Sequence, residues 1–328
     1  MLANQIILVT GGTGSWGYEL IHQLLDKQPK EIRIFSRNEA NQFTMKQQFD
    51  QNPKLRFIIG DIREKDALFE ACRDVDYIFH LAALKHVPIC EEQPIEALKT
   101  NVIGTQHVID AAIHCGVKKV VYISTDKASD PLNFYGLSKA MGERLMIHAN
   151  TMNRHTRFVC VRGGNVLGTN GSVIHVFKKQ IIEKQRIGIT DLEMTRFFLS
   201  VQDAVKLALK AAYESVGGEI YVMKMPSCKI IDLAQVLSEA AGIKKIDVTI
   251  LGIRPGEKIH ELLLSVNESM KTVIYDEAYY VILPTVPIKG LAEHYAKYPA
   301  AKIADYRSDQ DLMSKDEIKA MLKKGGFI

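Results

Sequence analysis

No two cysteines in this 328-residue chain have the spacing of a metal or redox motif. The five of them, Cys72, Cys90, Cys115, Cys160 and Cys228, are an odd number and far apart, which argues against a disulfide framework and against a structural zinc site. They are expected to be reduced, buried and inert. No stretch is long and apolar enough to cross a bilayer, and the amino terminus runs into the strand-like residues 6–10 without a basic region or a small-residue cleavage site. A cytoplasmic protein with no membrane partner is the expectation. An excess of one charge is missing too: 42 Lys and Arg stand against 38 Asp and Glu, scattered in both halves. A formal net charge of +4 gives no reason to expect nucleic acid as a partner. Internal repeats and low-complexity linkers are also absent, so no sharp domain boundary shows. What remains is 47% hydrophobic residues, enough for one large α/β unit or two closely joined domains.

The first half alternates two periods. Residues 5–10, 31–36, 55–60, 77–81, 118–125 and 157–162 read as short β-branched strands, with amphipathic helical stretches at 18–25, 67–72 and 95–114 between them. Strands without polar alternation, separated by helices, predict a parallel sheet covered on both faces, the doubly wound α/β arrangement, with ligands at the carboxyl ends of its strands. Past Gly164 the alternation weakens. Helices are expected at 174–184, 201–215 and 231–241, strands at 219–223 and 247–250, and a last helix at 315–323 capped by Ser314. The predicted division is a dinucleotide-binding portion over 1–164, to which later segments return, and a smaller substrate-binding portion with a tail over 165–328.

Directly after the first strand stands Gly11-Gly12-Thr13-Gly14-Ser15-Trp16-Gly17, a GxxGxxG loop opening a helix. Gly11 and Gly14 suit a tight turn and close approach of a pyrophosphate, Gly17 suits close helix–strand packing, and the helix start favours negative charge. The fold expected is therefore Rossmann-type. Where an NAD enzyme usually places an acidic residue for the adenosine ribose, this chain has Ser36-Arg37, a hydroxyl and a guanidinium that suit the 2′-phosphate of NADP; the alternative is a solvated surface arginine. Asp61 could accept from the adenine amino group, or else cap the next helix, and Ile62 could cover the ring. Ala82-Ala83 allows close passage of the cofactor, although small residues there also suit simple packing.

Tyr135 and Lys139 stand four residues apart, on one face of a helix. An ammonium beside a phenol favours the phenolate, a base for a sugar hydroxyl whose hydride leaves for nicotinamide. With Ser124-Thr125 one loop earlier and the glycine loop at the amino terminus, the chain resembles the extended short-chain dehydrogenase/reductase superfamily. Retaining sugar dehydratases carry Thr-Asp-Glu where this chain has Thr125-Asp126-Lys127, which is similar to the inverting UDP-N-acetylglucosamine 4,6-dehydratases. The likeness runs through Ala82 to Pro88, Gly164-Asn165-Val166, Met194-Thr195-Arg196-Phe197 and Arg254-Pro255-Gly256-Glu257-Lys258.

That resemblance implies roles. Tyr135, assisted by Lys139 and Thr125, would deprotonate the hydroxyl at sugar carbon 4; Lys127 would be the base at carbon 5, and Asp126 the acid for the departing carbon 6 hydroxyl. Lys127 must then be partly neutral, with its pKa lowered by burial or nearby positive charge. A surface ion pair or helix cap is the plainer reading of Asp126-Lys127. Contacts to a UDP-N-acetylhexosamine are implied for Asn165, Thr195, Arg196, Arg254 and Glu257, with Ser172 and Val173 at the uracil; Lys85 and His86 lie near the sugar. No metal is expected, because His86 has no suitably spaced second ligand. A homo-oligomer is implied as well. Two departures stand out: Asn41 replaces a lysine that often supports the NADP phosphate, and Gly163 an aromatic residue. A UDP-hexose 4-epimerase would use Tyr135 and Lys139 but not an acid and base at 126 and 127, and a non-catalytic NADP-sensing regulator would need neither pair.

Overall fold

The computed structural model describes residues 2–153, 155–169 and 171–328. Six parallel strands come first: β1 (Ile6–Thr10), β2 (Glu31–Ser36), β3 (Leu55–Ile59), β4 (Tyr77–His80), β5 (Lys119–Thr125) and β6 (Arg157–Gly163). Helices α1 (Ser15–Leu25), α2 (Glu39–Gln48), α3 (Lys65–Cys72), α4 (Val87–Glu92), α5 (Pro94–Ala97), α6 (Gly104–His114) and α7 (Phe134–Met152) connect them. Every residue of β1 and β4 is buried, the signature of strands covered on both faces.

After residue 164 come β7 (Asn165–Val166), α8 (Val173–Lys184), β8 (Arg186–Ile189), β9 (Thr195–Leu199), α9 (Val201–Glu214), β10 (Ile220–Met223), β11 (Ser227–Lys229), α10 (Ile230–Ala240) and β12 (Asp247–Ile250). The chain ends with β13 (Leu262–Leu264), α11 (Val266–Ser269), β14 (Thr272–Ile274), β15 (Tyr279–Ile282), α12 (Leu291–Tyr295), β16 (Tyr306–Arg307) and α13 (Lys315–Lys324). Among the described residues the main sheet has nine strands in the order β14-β15-β10-β6-β5-β4-β1-β2-β3. β10 adds in parallel, whereas β14 and β15 form an antiparallel edge. The order reverses between β4 and β2, with β1 in the middle, and such a switch point opens a crevice at the carboxyl ends of the strands. A second apolar cluster, including Ile174, Phe177, Leu233, Leu237 and Ile318, lies under α8, α10 and α13. Ser314 caps α13 in a reciprocal pair with Glu317.

The single helix expected over 95–114 is broken. A π-helical stretch, Leu98–Ile103, separates α5 from α6. Its widened turn sends the Asn101 amide to the backbone of Leu84, accepting from its N–H at 2.8 Å and donating to its carbonyl at 2.9 Å, and on to Ser138 Oγ at 2.9 Å. Helices α2 and α4 and most strands beyond 164 were not foreseen, because short pieces carry little periodicity. Among the described residues no helix is long and apolar enough to cross a membrane.

Candidate functional site

A cavity of about 690 Å³ runs along the loops that follow β1, β2, β4 and β5. At one end lies the glycine loop. Gly11 has φ +69°, and a Cβ on it would stand 2.7 Å from the backbone N and Cα of Ala82, so only glycine lets the two loops pass. A Cβ on Gly17 would come within 2.0 Å of the Gly12 carbonyl oxygen, which is why α1 packs against the end of β1 there. Gly14 differs: its nearest neighbour would be 3.5 Å away, and it opens α1 without a side-chain cap, so the positive end of the helix faces the cavity.

Thr13, Ser15 and Trp16 line this end with Ser36, Arg37, Asp61, Ile62, Ala82 and Ala83. Ser36 Oγ accepts from Gln42 Nε2 at 2.9 Å, and Arg37, half exposed, stands 3.7 Å from Asp61. Burial alone would raise the Asp61 carboxyl, but hydrogen bonds and charge from Arg63, helped by Arg37, hold it below the usual carboxylate range. The capping position of α3 is Glu64, not Asp61. Asn41, at the start of α2, is exposed, and its N–H donates to Asn38 Oδ1.

At the other end β5 delivers Thr125 into a 3₁₀ turn, Asp126–Ala128, and α7 follows with Tyr135 and Lys139. Turn and helix meet backbone to backbone: a Cβ on Gly136 would stand 2.2 Å from the Lys127 carbonyl oxygen. Thr125, Lys127, Tyr135 and Lys139 all line the cavity. Asp126 is wholly buried just behind them; its Oδ1 accepts from Thr125 Oγ1 at 2.9 Å and from Lys127 Nζ at 3.0 Å. Its Oδ2 has no hydrogen-bond partner among the described residues, and a Cβ on Gly164 would be 3.3 Å from it. The pair is therefore neither a surface ion pair nor a helix cap.

The charges here differ from expectation. Lys127 Nζ lies 3.0 Å from Asp126 and also 3.0 Å from Glu261 Oε1, a residue that sequence reasoning missed. Burial would lower the Lys127 pKa, but the two carboxylates outweigh it and leave the ammonium more firmly charged than an ordinary lysine. The expected lowering is thus overturned, first by the neighbouring Asp126 and then by an acidic residue 134 positions away in the chain. Asp126 is raised by burial, against the pull of Lys127. Tyr135 is pushed up to about 12, burial outweighing the Lys127 charge and a hydrogen bond with Thr125. Lys139, brought down to about 7 by burial, donates to the Ile123 carbonyl at 2.7 Å and stands 3.9 Å over the Tyr122 ring. The Lys127 charge pulls the phenol back toward its ordinary value.

Lys85, His86, Asn165, Ser172 and Val173 line the same cavity, and burial lowers the Lys85 pKa. Ser172 Oγ is buried without a hydrogen-bond partner among the described residues. Thr195, Arg196, Arg254 and Glu257 do not reach the wall. Thr195 Oγ1 is engaged by Ser308 at 2.7 Å and His260 at 2.9 Å. The Arg196 guanidinium is buried against the carbonyls of Thr195, Lys258 and Ile259, which uses its fork to brace a loop. Glu257 Oε2 accepts from Thr190 Oγ1 and the exposed Arg254 donates its backbone N–H to the same oxygen. At Gly163 a Cβ would meet Met223 Sδ at 3.1 Å, so two methionines, Met223 and Met225, occupy the space beside it. Ser124, whose buried Oγ lacks a hydrogen-bond partner among the described residues, is a further wall residue that no motif role had covered.

The sequence pattern of the polysaccharide biosynthesis protein family matches residues 7–283. This chain belongs to that family. Within it, and within the extended short-chain dehydrogenase/reductases, the chain is similar to a Campylobacter jejuni protein named UDP-N-acetylglucosamine 4,6-dehydratase (inverting), 46% identical over 87% of this chain and 85% of that protein. It is also similar to a Rickettsia akari protein named UDP-glucose 4-epimerase, at 41% identity over 98% and 96%. Among solved structures, Pen from Bacillus thuringiensis superposes with a TM-score of 0.93 at 38% identity, covering 100% of this chain and 99% of that one. DesIV from Streptomyces venezuelae, a dTDP-glucose 4,6-dehydratase with NAD and TYD bound, superposes with 0.70 at 26% identity over 77% and 86%.

Proposed function

We propose that this family member is an NADP-dependent 4,6-dehydratase of a UDP-linked N-acetylhexosamine, inverting at carbon 5. The observation that carries the reading is the buried Asp126–Lys127 pair, closed to 3.0 Å beside Tyr135 on the wall of a cavity whose other end is a glycine loop. The Campylobacter relative's name points the same way. The residues present fit a nicotinamide dinucleotide: Gly11 leaves room against Ala82, the uncapped start of α1 at Gly14 suits the pyrophosphate, and Ser36 with Arg37 suits a 2′-phosphate. When bound, that group would supply reversible acceptance of a hydride, taken from carbon 4 and returned to carbon 6.

The remaining work falls to side chains. Tyr135 Oη takes the proton of the carbon 4 hydroxyl, its phenolate favoured by the Lys127 charge and the Thr125 hydrogen bond against the cost of burial. A ketone at carbon 4 acidifies the carbon 5 proton. One proton moved from Lys127 Nζ to Asp126 Oδ1 turns ammonium and carboxylate into amine and carboxylic acid, a neutral pair that burial favours. The amine removes the carbon 5 proton and the acid protonates the departing carbon 6 hydroxyl, so water leaves and the pair returns to its charged form. Reprotonation of carbon 5 by Lys127 from the opposite face inverts that centre. Asn165, Ser172, Lys85 and His86 would hold the nucleotide and sugar.

Incubation with UDP-N-acetylglucosamine, followed by product mass and proton spectrum, tests the reading. Loss of one water to a 4-keto-6-deoxy sugar is expected. The Rickettsia relative's name favours a second reading, 4-epimerisation, which predicts an isomer of unchanged mass.

A further inference from the structure

One buried carboxylate has no part in the steps above. Glu261, 2% exposed, stands one residue before β13 and lines no part of the cavity. Its backbone is held on both sides: its N–H donates to Ser308 Oγ at 2.9 Å, and its carbonyl accepts from the Ser308 N–H at 3.0 Å. Arg196, braced on the carbonyls of Thr195, Lys258 and Ile259, places its Nε 3.5 Å from Glu261 Oε1. That same oxygen receives Lys127 Nζ at 3.0 Å. The other, Oε2, is buried with no hydrogen-bond partner among the described residues. An orphaned buried oxygen is costly, and packing alone gives no reason for a carboxylate here.

We propose that Glu261 is a positioning residue for the elimination, acting through Lys127: it fixes the aim of the side-chain nitrogen and holds it as an ammonium until a proton is passed to Asp126. The inference rests on the reading of Lys127 as a proton-transfer residue. The groups that face Lys127 are Asp126 on its own turn, Glu261 on the loop before β13, Arg196 on β9, Tyr135 on α7 and Lys258. The two carboxylates favour the charged lysine, while Arg196, Lys258 and burial oppose it. Removing Glu261 takes away one of the two supports, so the amine becomes available at lower pH. Its aim becomes less well defined at the same time.

The rate at which cyanate carbamylates Lys127 at alkaline pH, read by peptide mass spectrometry with Lys85 in the same cavity as the accessibility control, reports the neutral fraction directly. Glu261→Gln is expected to raise that rate about tenfold or more relative to Lys85, the effect of about one unit or more of lost support from a charge at this distance. Glu261→Asp, which keeps the charge but withdraws it by one methylene, is expected to raise it less, and it serves if the glutamine variant does not fold. In turnover, the acidic limb of the kcat profile moves to lower pH while KM for the sugar nucleotide stays unchanged. Labelling at the wild-type rate in a folded variant overturns the inference. A wild-type protein that releases no water defeats the dehydratase reading instead, and leaves the labelling result standing.

Discussion

The two ends of the cavity are built by opposite means. At the dinucleotide end the backbone does the shaping: Gly11 and Gly17 let a turn, a helix and a neighbouring loop approach within distances that any side chain would forbid, and Gly14 opens the helix beside them. At the reacting end the shaping is done by buried charge, with Asp126, Lys127, Glu261 and Arg196 alternating in sign over contacts of 3.0 to 3.5 Å. The first construction is harmed by adding a methyl group, the second by removing a charge. Local geometry can specify the first, but the second needs partners from three separate parts of the chain.

The comparison breaks hardest at Lys127. Lys127→Ala is expected to lower the rate of water loss by about a thousandfold or more while dinucleotide affinity stays within about twofold, with product mass and fluorescence titration as the two measurements. A variant with full activity would sink the assignment. Next comes the support behind the turn. Arg162, 1% exposed, is held by Glu143 at 2.6 Å and by Glu268 at 3.0 Å, and Glu268 also accepts from Ser129 Oγ, one residue past the 3₁₀ turn. Glu143→Ala leaves that guanidinium short of a partner and is expected to cost roughly 3 to 5 kcal/mol in denaturant unfolding. Gly14→Ala sharpens the contrast from the other side. Its neighbours leave room for a methyl, so stability should change by less than about 0.5 kcal/mol, whereas dinucleotide affinity should fall roughly 30-fold, about 2 kcal/mol.

Smallest per unit of change is a pH dependence. Lys139 is brought to about 7 in the folded protein by burial, below its ordinary value of 10.5. Between those values the unfolded chain binds more protons, so this group's penalty is fully present below about pH 7 and is relieved as pH rises. The stability advantage of Lys139→Met over the wild type should accordingly shrink by roughly 1.4 kcal/mol per pH unit above 7, measured by urea unfolding. A constant difference would show that Lys139 stays charged in the fold.

Legibility followed the same divide. The strands of the first half and the glycine loop could be read because period and turn chemistry are local; β2 and β12 came out residue for residue. The helix break at Leu98–Ile103 could not, because the Leu84 backbone that the Asn101 amide meets is brought near by folding. Lys127 was singled out from its neighbours Asp126 and Tyr135, yet its charge state was read with the wrong sign. Besides Asp126, a second acid supports that charge, and it lies in the run Arg254-Pro255-Gly256-Glu257-Lys258-Ile259-His260-Glu261, four residues past the glutamate that drew attention; an i to i+4 repeat in a loop carries no signal of burial. Arg196 showed the converse. A guanidinium in a motif suggests a phosphate, but only the packed loop reveals that its donors are already taken by carbonyls.

The order of residues alone determined the alternation of strands and helices, the place of the dinucleotide turn, and the presence of a phenol, an ammonium and a carboxyl within ten positions, since all of these depend on short-range sterics and spacing. Tertiary structure decided which of those groups are charged. A proton affinity is set by burial and by every charge within a few ångströms, and Glu261, Arg196 and Lys258 reach Lys127 only after the chain has closed around it.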